Sequence, residues 1–214
     1  ALMARDKSGQ GQVVEASLLL SGLSIANYAL VEQAATGINR TALGNRGFAS
    51  APNDLFRTCD GWVVVQSVGD SMFARWCEMT GNEALADDPR FADDVSRAAH
   101  GEFISDLMAA WSHNRSTVEV LDALAAARIP SGPVYSPEQV LHDSHIADLG
   151  YLKPLNYPGL ESPAPVADTP VKLSATPGVI RARAPKLGEH TNSILAELGY
   201  DKAEIEKLRR AGVV

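Results

Sequence analysis

The amino-acid sequence predicts a mixed α/β fold on three observations. A valine-rich run at Trp62–Val68 has the composition of a β-strand. The segment Ser71–Met79 follows it directly and carries apolar residues at helical spacing, as several later segments do. Prolines are frequent from Lys153 to Pro185, which predicts an extended connection with short strands such as residues 171–173. These features predict a small α/β domain with a long connection leaving it.

Size, charge and hydropathy exclude several classes of function. The 214 residues, of which 45% are hydrophobic and 21% charged, suffice to bury a core. The formal net charge of −7 argues against a nucleic-acid surface, and no apolar run approaches the roughly 18 residues of a membrane span. Cys59 and Cys77 are too few for a disulfide framework and lack zinc-site spacing. We therefore expect a cytoplasmic protein with no metal, membrane or nucleic-acid partner.

The first residues have the pattern of a helix end. No capping residue precedes Ala1–Lys7, and Ser8–Gly9 provides a helix stop. This pattern predicts a start inside a domain, with a tag remnant or a processed start as the alternative. The next predicted element is a strand at Gln12–Ala16.

A long apolar helix is predicted after this strand. Ser17 can cap it, it runs to about Ala35, and Gly37 ends it. Apolar residues lie on nearly all of its faces, so we expect it to be buried or packed against another chain. It is therefore a candidate interface.

The middle of the chain combines a loop with short regular elements. Residues 41–53 are rich in Gly, Asn, Ser and Pro without a period, which predicts a loop. Asp60–Gly61 is predicted to turn the chain into the strand, and Gly81 to end the helix after it. An extended piece is predicted between Pro130 and Tyr135. The remaining predicted elements are five helices: one at 102–111, one that starts at the capping box Ser116–Glu119, one at Pro137–Leu141, one from Thr191 to Leu198 and one from Asp201 to Arg210.

Short motifs recur in a fixed order along nearly the whole chain. They are Ala1–Arg5 with Ser8–Val14, Asp60–Trp62, Asp87–Phe91, Pro130–Val134, Ala184–Thr191 and Glu197–Tyr200. Each motif alone has little specificity. Their order and spacing resemble the C-terminal half of the class III CoA-transferases, the family of formyl-CoA transferase, carnitine CoA-transferase and α-methylacyl-CoA racemase.

The resemblance implies a division of the chain. Residues 1–54 would end a large Rossmann-like domain and form a linker helix, and residues 55–150 would form a small α/β domain. Residues 151–214 would return to the large domain with C-terminal helices. Family members are about twice this length, and two copies interlock as a homodimer. The implied partners are therefore a second copy, or the N-terminal half that this chain lacks.

The resemblance also implies a reaction. Family transferases move CoA between carboxylic acids by way of an aspartate whose carboxylate attacks the acyl-CoA thioester. That aspartate lies upstream of the family segment matched by Arg5, so we expect it to precede residue 1, and Asp6 does not match it. The substrates would be an acyl-CoA and a carboxylic acid acceptor, and this chain alone would be inactive.

The loop around Arg46 is the candidate substrate-binding segment. It lies where family transferases carry a glycine-rich loop that closes over the active site, which implies substrate contacts by Asn45, Arg46, Gly47 and Phe48. A run of consecutive glycines is missing here, and a plain surface linker is the alternative.

Asp70 is the candidate catalytic residue within the chain. It matches the position of a catalytic glutamate in the racemase members, where a carboxylate exchanges the α-proton of the substrate. An N-cap for the helix that begins near Ser71 is the alternative. His190 fits an orienting hydrogen bond better than a general base, and His142, Asp143 and His145 lack the further ligand that a metal site needs.

The sequence therefore predicts part of a CoA-transferase, with acyl-CoA racemase chemistry as the runner-up. A non-catalytic association fragment and a generic α/β small-molecule binder remain as alternatives. Trp76 and Trp111 lie on apolar helix faces and are expected in the core.

Overall fold

A computed structural model describes all 214 residues. The chain divides into two compact units, Ala1–Val134 and Tyr135–Val214, and each is described by itself. Helices and small antiparallel sheets build both units, so the predicted mixed α/β class is confirmed. The predicted domain limits at residues 54 and 150 stay a prediction.

The first unit opens with helices that bury none of their residues. Helix α1 spans Leu2–Ser8 and ends at Gly9 in the left-handed region, as predicted. The predicted strand at residues 12–16 is wrong, because this exposed segment has no neighbouring strand to pair with. Ser17 accepts a hydrogen bond from the Leu20 amide and caps the next helix, as expected.

The predicted long helix is two helices, α2 at Leu18–Ile25 and α3 at Asn27–Thr36. Ala26 closes the first and opens the second with a ψ of 3°, outside the helical range. Gly22 lies within α2 and lowers the helix propensity of that segment. Neither helix has a buried face whose packing would keep the two segments as one continuous helix. Gly37 ends α3 as predicted.

A three-stranded antiparallel sheet follows, made of β1 (Asn53–Arg57), β2 (Trp62–Gln66) and β3 (Ser131–Pro133) in that order. Val64 lies opposite Leu55 on one side and Gly132 on the other. Strand β1 was absent from the sequence prediction, whereas the turn at Asp60–Gly61 is confirmed: the Thr58 amide donates to the Gly61 carbonyl at 3.0 Å.

Four α-helices cover the sheet or continue from it: α4 (Asp70–Thr80), α5 (Asp94–Ala99), α6 (Gly101–Ser112) and α7 (Thr117–Ala126). Two 3₁₀ turns, Glu83–Asp87 and Pro89–Phe91, join α4 to α5. The core includes Phe56, Val63, Phe73, Trp76, Phe91, Ile104, Met108 and Leu124. Trp76 is fully buried and its indole N–H donates to the Met108 sulfur, so its predicted place in the core is confirmed.

The second unit contains two short helices, a hairpin and two terminal helices. These are α8 (Pro137–His142), α9 (Ser144–Leu149), β4 (Leu152–Leu155), β5 (Ala164–Ala167), α10 (Thr191–Glu197) and α11 (Lys202–Arg210). The capping box of Asp201 with Glu204 is confirmed. The predicted cap Thr191 is instead the first helical residue of α10, after His190. The predicted strand at 171–173 is wrong, because β4 and β5 pair with each other and leave that segment exposed and unpaired.

Candidate functional site

The loop between α3 and β1 is tied to α3 by Arg40. The guanidinium donates to both carboxylate oxygens of Glu32, at 2.6 and 2.5 Å, and to the Phe48 carbonyl at 3.3 Å. It also lies 5.0 Å from the centre of the Phe48 ring. The side-chain hydrogen bonds from Arg40 hold the pKa of Glu32 below its ordinary value. Phe48 is thereby fixed at the far end of the loop.

Gly47 holds the same loop against β1. Its amide donates to the Asn53 carbonyl at 2.7 Å. A Cβ atom at this position would lie 2.7 Å from the Asn53 Cγ, which is closer than van der Waals contact allows. Glycine is therefore required here by the close approach of loop and strand.

Arg46 and Gly47 line a cavity with a volume of about 230 Å³. Its other walls are Leu43, Ala98, Ala99, Gly101 and Glu102. The structure thus brings two of the four predicted substrate-binding residues to one cavity. Phe48 packs with Arg40 instead, and Asn45 is exposed.

Asp70 is the first residue of α4, and Gly69 occupies the N-cap position. The expected N-cap role of Asp70 is therefore wrong. The amide of Gly69 donates instead to both carboxylate oxygens of Asp94, at 3.0 and 2.9 Å, so a side chain 25 residues away closes this helix end. Asp70 Oδ1 accepts a hydrogen bond of 2.6 Å from Arg97.

Arg97 is the buried centre of this cluster, with its side chain 3% exposed. It pairs with Asp94 at 3.0 Å and donates to the carbonyls of Phe91 and Ala92, at 2.8 and 3.2 Å. Its guanidinium also lies 4.5 Å from the centre of the Phe73 ring. Sequence reasoning missed Arg97 and Asp94. The available signal was their i, i+3 spacing directly after the Asp87–Phe91 motif.

Asp60 and Glu189, each within one of the ordered motifs, have structural partners. Asp60 accepts from the amide and the hydroxyl of Thr117, both at 2.8 Å, and these bonds lower its pKa. In the second unit, Glu189 accepts from Arg183 at 2.6 Å and from the Lys186 amide at 2.7 Å. The bonds from Arg183 and then from Lys186 lower the pKa of Glu189 to about 2.

The histidines form no site of their own. No group of three or more His, Cys, Asp or Glu side chains lies close enough together to hold a metal ion. His190 makes no side-chain bond to the start of α10, so the orienting hydrogen bond expected from it is missing there. None of the helices has the length and apolar content that crossing a membrane requires.

Comparison with known proteins decides the family. The model of CoA-transferase family III matches residues 1–191. The chain belongs to CoA-transferase family III. The resemblance inferred from the ordered motifs is thereby confirmed.

Named relatives of this family III chain are transferases. It is 31% identical over its whole length to succinyl-CoA–D-citramalate CoA-transferase from Chloroflexus aurantiacus and covers 54% of that protein. It is 28% identical over 92% of its length to succinate–glutarate CoA-transferase from Agrobacterium fabrum and covers 49% of it.

A solved CAIB/BAIF family protein from Brucella suis shares the fold of this family III chain. The TM-score is 0.72 at 25% identity, over 92% of this chain and 50% of the Brucella protein. The chain therefore spans about half the length of the relatives it matches.

Proposed function

We propose that this chain is the C-terminal portion of an enzyme that transfers CoA between carboxylic acids. The observation that carries the proposal is the family III match over residues 1–191, together with relatives whose names are those of CoA-transferases. We further propose that the nucleophilic aspartate lies outside this chain, upstream of Arg5. Asp6 is exposed on α1 with only its neighbour Arg5 as a side-chain partner, so nothing around it activates a nucleophile.

The proposed chemistry proceeds in balanced steps. The aspartate carboxylate attacks the acyl-CoA carbonyl, the thiolate of CoA leaves, and a mixed anhydride forms. The thiolate then attacks the aspartyl carbonyl, which releases the donor acid and leaves an enzyme thioester. The acceptor carboxylate displaces CoA from this thioester, and attack of the thiolate on the acceptor carbonyl yields the new acyl-CoA and frees the aspartate.

The loop at 44–50 is the part of this chain that we propose contacts the substrates, an acyl-CoA and a carboxylic acid, through residues 45–48. Arg40 fixes one end of the loop and Gly47 fixes it to β1, so the loop can hold a substrate group in a defined position. We also propose that this loop closes over the active site. Closure requires the loop to move about its attachments at Arg40 and Gly47. The named relatives act on succinyl-CoA or on succinate and glutarate, which favours dicarboxylic substrates for this chain as well.

We propose that α2 and α3 pack against the large-domain half or against a second copy. All residues of α2 are exposed, including Leu18, Leu19, Leu20 and Ile25. An apolar helix with no buried face in its own chain is typical of a protein interface. The proposed molecule is a cytoplasmic homodimer of complete enzyme chains.

Two alternative functions have an observation in their favour. Racemase chemistry would use Asp70, whose second carboxylate oxygen makes no hydrogen bond and whose side chain is 79% exposed. A non-catalytic association fragment would use the apolar surface of α2 and α3.

Two assays on the protein produced from the intact gene separate these functions. Incubation with succinyl-CoA and glutarate or citramalate, followed by mass spectrometry of the CoA esters, detects transfer. Exchange of the α-proton of an acyl-CoA in D₂O detects racemase chemistry. New CoA esters without α-exchange support the proposal, and α-exchange without transfer would replace it with the racemase. The 214-residue chain is the control and should catalyse neither reaction.

A further inference from the structure

Arg46 differs from the other half-buried arginines of the chain. Arg40 and Arg183 have side chains 30% and 21% exposed, and each donates two hydrogen bonds to one carboxylate. The Arg46 side chain is 25% exposed, yet its guanidinium donates no hydrogen bond within the chain. The guanidinium of an arginine side chain that is three-quarters covered normally has an acceptor, and a carboxylate matches its geometry best.

The nearest acidic group does not fill this role. Glu102 Oε2 lies 3.9 Å from Arg46, beyond hydrogen-bonding distance, and the Glu102 side chain is exposed to solvent. Its charge stands at the rim of the cavity, so a compact group with a single charge is favoured over a doubly charged phosphate.

The remaining lining residues, apart from Glu102, carry no polar side chain. They include Leu43, Ala98 and Ala99, together with Gly101 at the start of α6. The volume of 230 Å³ accommodates a carboxylate with a chain of a few carbon atoms. The backbone next to Arg46 is anchored, because the amide of Gly47 donates to the Asn53 carbonyl at 2.7 Å. Arg46 therefore lines a cavity of matching size with N–H donors that have no hydrogen-bond acceptor in the chain.

We propose that Arg46 binds the non-reacting carboxylate of a dicarboxylic substrate and so determines specificity for such acids, an inference that rests on the proposed CoA-transferase function. A bidentate guanidinium stabilises the anion it binds, which would reduce the reactivity of an attacking carboxylate. The reacting carboxylate is accordingly excluded from this position, and the second carboxylate of the acid occupies it.

The first test measures binding to the 214-residue chain itself. Succinate, butyrate and inorganic phosphate are titrated separately while the Arg46 Nε–H and the Gly101 and Glu102 amides are followed by NMR. Succinate should shift these three signals, and Arg46→Met should weaken its binding at least about tenfold, as expected for loss of a charged hydrogen bond. Arg90→Met removes the same charge from an exposed side chain and should leave binding unchanged.

Two results of this titration would overturn the proposal. One is the absence of a succinate-dependent shift, or a shift that persists in Arg46→Met. The other is a response to phosphate without a response to succinate, which would assign the cavity to the phosphates of CoA. Neither result depends on transferase activity, so the test stands even if the proposed function fails.

The second test uses the enzyme produced from the intact gene. We expect Arg46→Met to lower kcat/KM for succinyl-CoA at least about tenfold and to leave that for butyryl-CoA within about twofold, because only the former carries a free carboxylate. Equal losses with both esters would contradict the proposal. Absence of CoA transfer by the wild-type enzyme would instead contradict the proposed function.

Discussion

Asp70 and Arg97 form an ion pair of 2.6 Å in which one side chain is 79% exposed and the other 3%. Arg97 is held by three further acceptors, the Asp94 carboxylate and the carbonyls of Phe91 and Ala92. The buried cation thus fixes the position of a carboxylate that faces solvent. Substitution of Arg97 should therefore reduce the free energy of unfolding more than substitution of Asp70.

Replacement of Arg97 with Met is expected to destabilise the first unit by about 3 kcal/mol, because Asp94 loses its charged partner and the carbonyls of Phe91 and Ala92 lose their donor beside a buried side chain. Asp70→Asn should cost less than about 1 kcal/mol, since that partner is exposed. Urea denaturation of the two variants measures both values. Equal losses of unfolding free energy in the two variants would contradict the greater contribution expected from Arg97.

Gly47→Ala is expected to destabilise the chain by about 1–2 kcal/mol, because the new methyl group would overlap with Asn53. Asn53→Ala removes the overlapping amide and should recover part of this loss in the double variant. A double-mutant cycle by denaturation measures the coupling. Additive effects would contradict the close approach as the reason for glycine.

Glu189 gives the second unit a pH dependence. Its folded pKa of about 2 lies below the ordinary value of 4.5, so its contribution to stability is complete above pH 4.5 and is lost as the pH falls towards 2. Glu189→Gln should lower the thermal midpoint at pH 7, and the difference from wild type should narrow through this window. Glu161→Gln, an exposed site, is the matched control. A difference that stays constant with pH would exclude the Arg183 pair as its source.

Leu19→Glu in α2 is expected to reduce self-association or pairing with the large-domain half, because it places a charge on the exposed apolar surface. Sedimentation velocity over a range of concentrations measures the effect. Asn114→Asp, at an exposed position outside α2 and α3, adds the same charge and serves as control. Unchanged association in Leu19→Glu would remove α2 from the interface.

Features with local causes could be predicted from the sequence. Ser17, Ser116 and Asp201 each cap a helix with bonds to residues three positions away, and their sequence spacing is sufficient to identify them. The strand at 171–173 was predicted from composition alone, and composition does not say which segment will pair with which.

The site depends on contacts distant in sequence. Arg97 meets Asp70 across 27 residues, and Gly69 meets Asp94 across 25, so no local pattern joins them. The expected N-cap role of Asp70 is wrong for this reason. Gly69 is the N-cap, and its amide donates to the carboxylate of the distant Asp94. Arg46 could be named from the family position of its loop, but its lack of an acceptor is visible only in the folded chain.

Helices α2 and α3 contain 8 and 10 residues and bury none of them. Isolated helices shorter than about 12–15 residues are marginal in water, so their free energy of formation depends on what covers them. If they pack as proposed, helix formation and assembly are thermodynamically linked. Amide hydrogen exchange in this segment should then slow as protein concentration rises, while exchange in the Trp76 core stays constant.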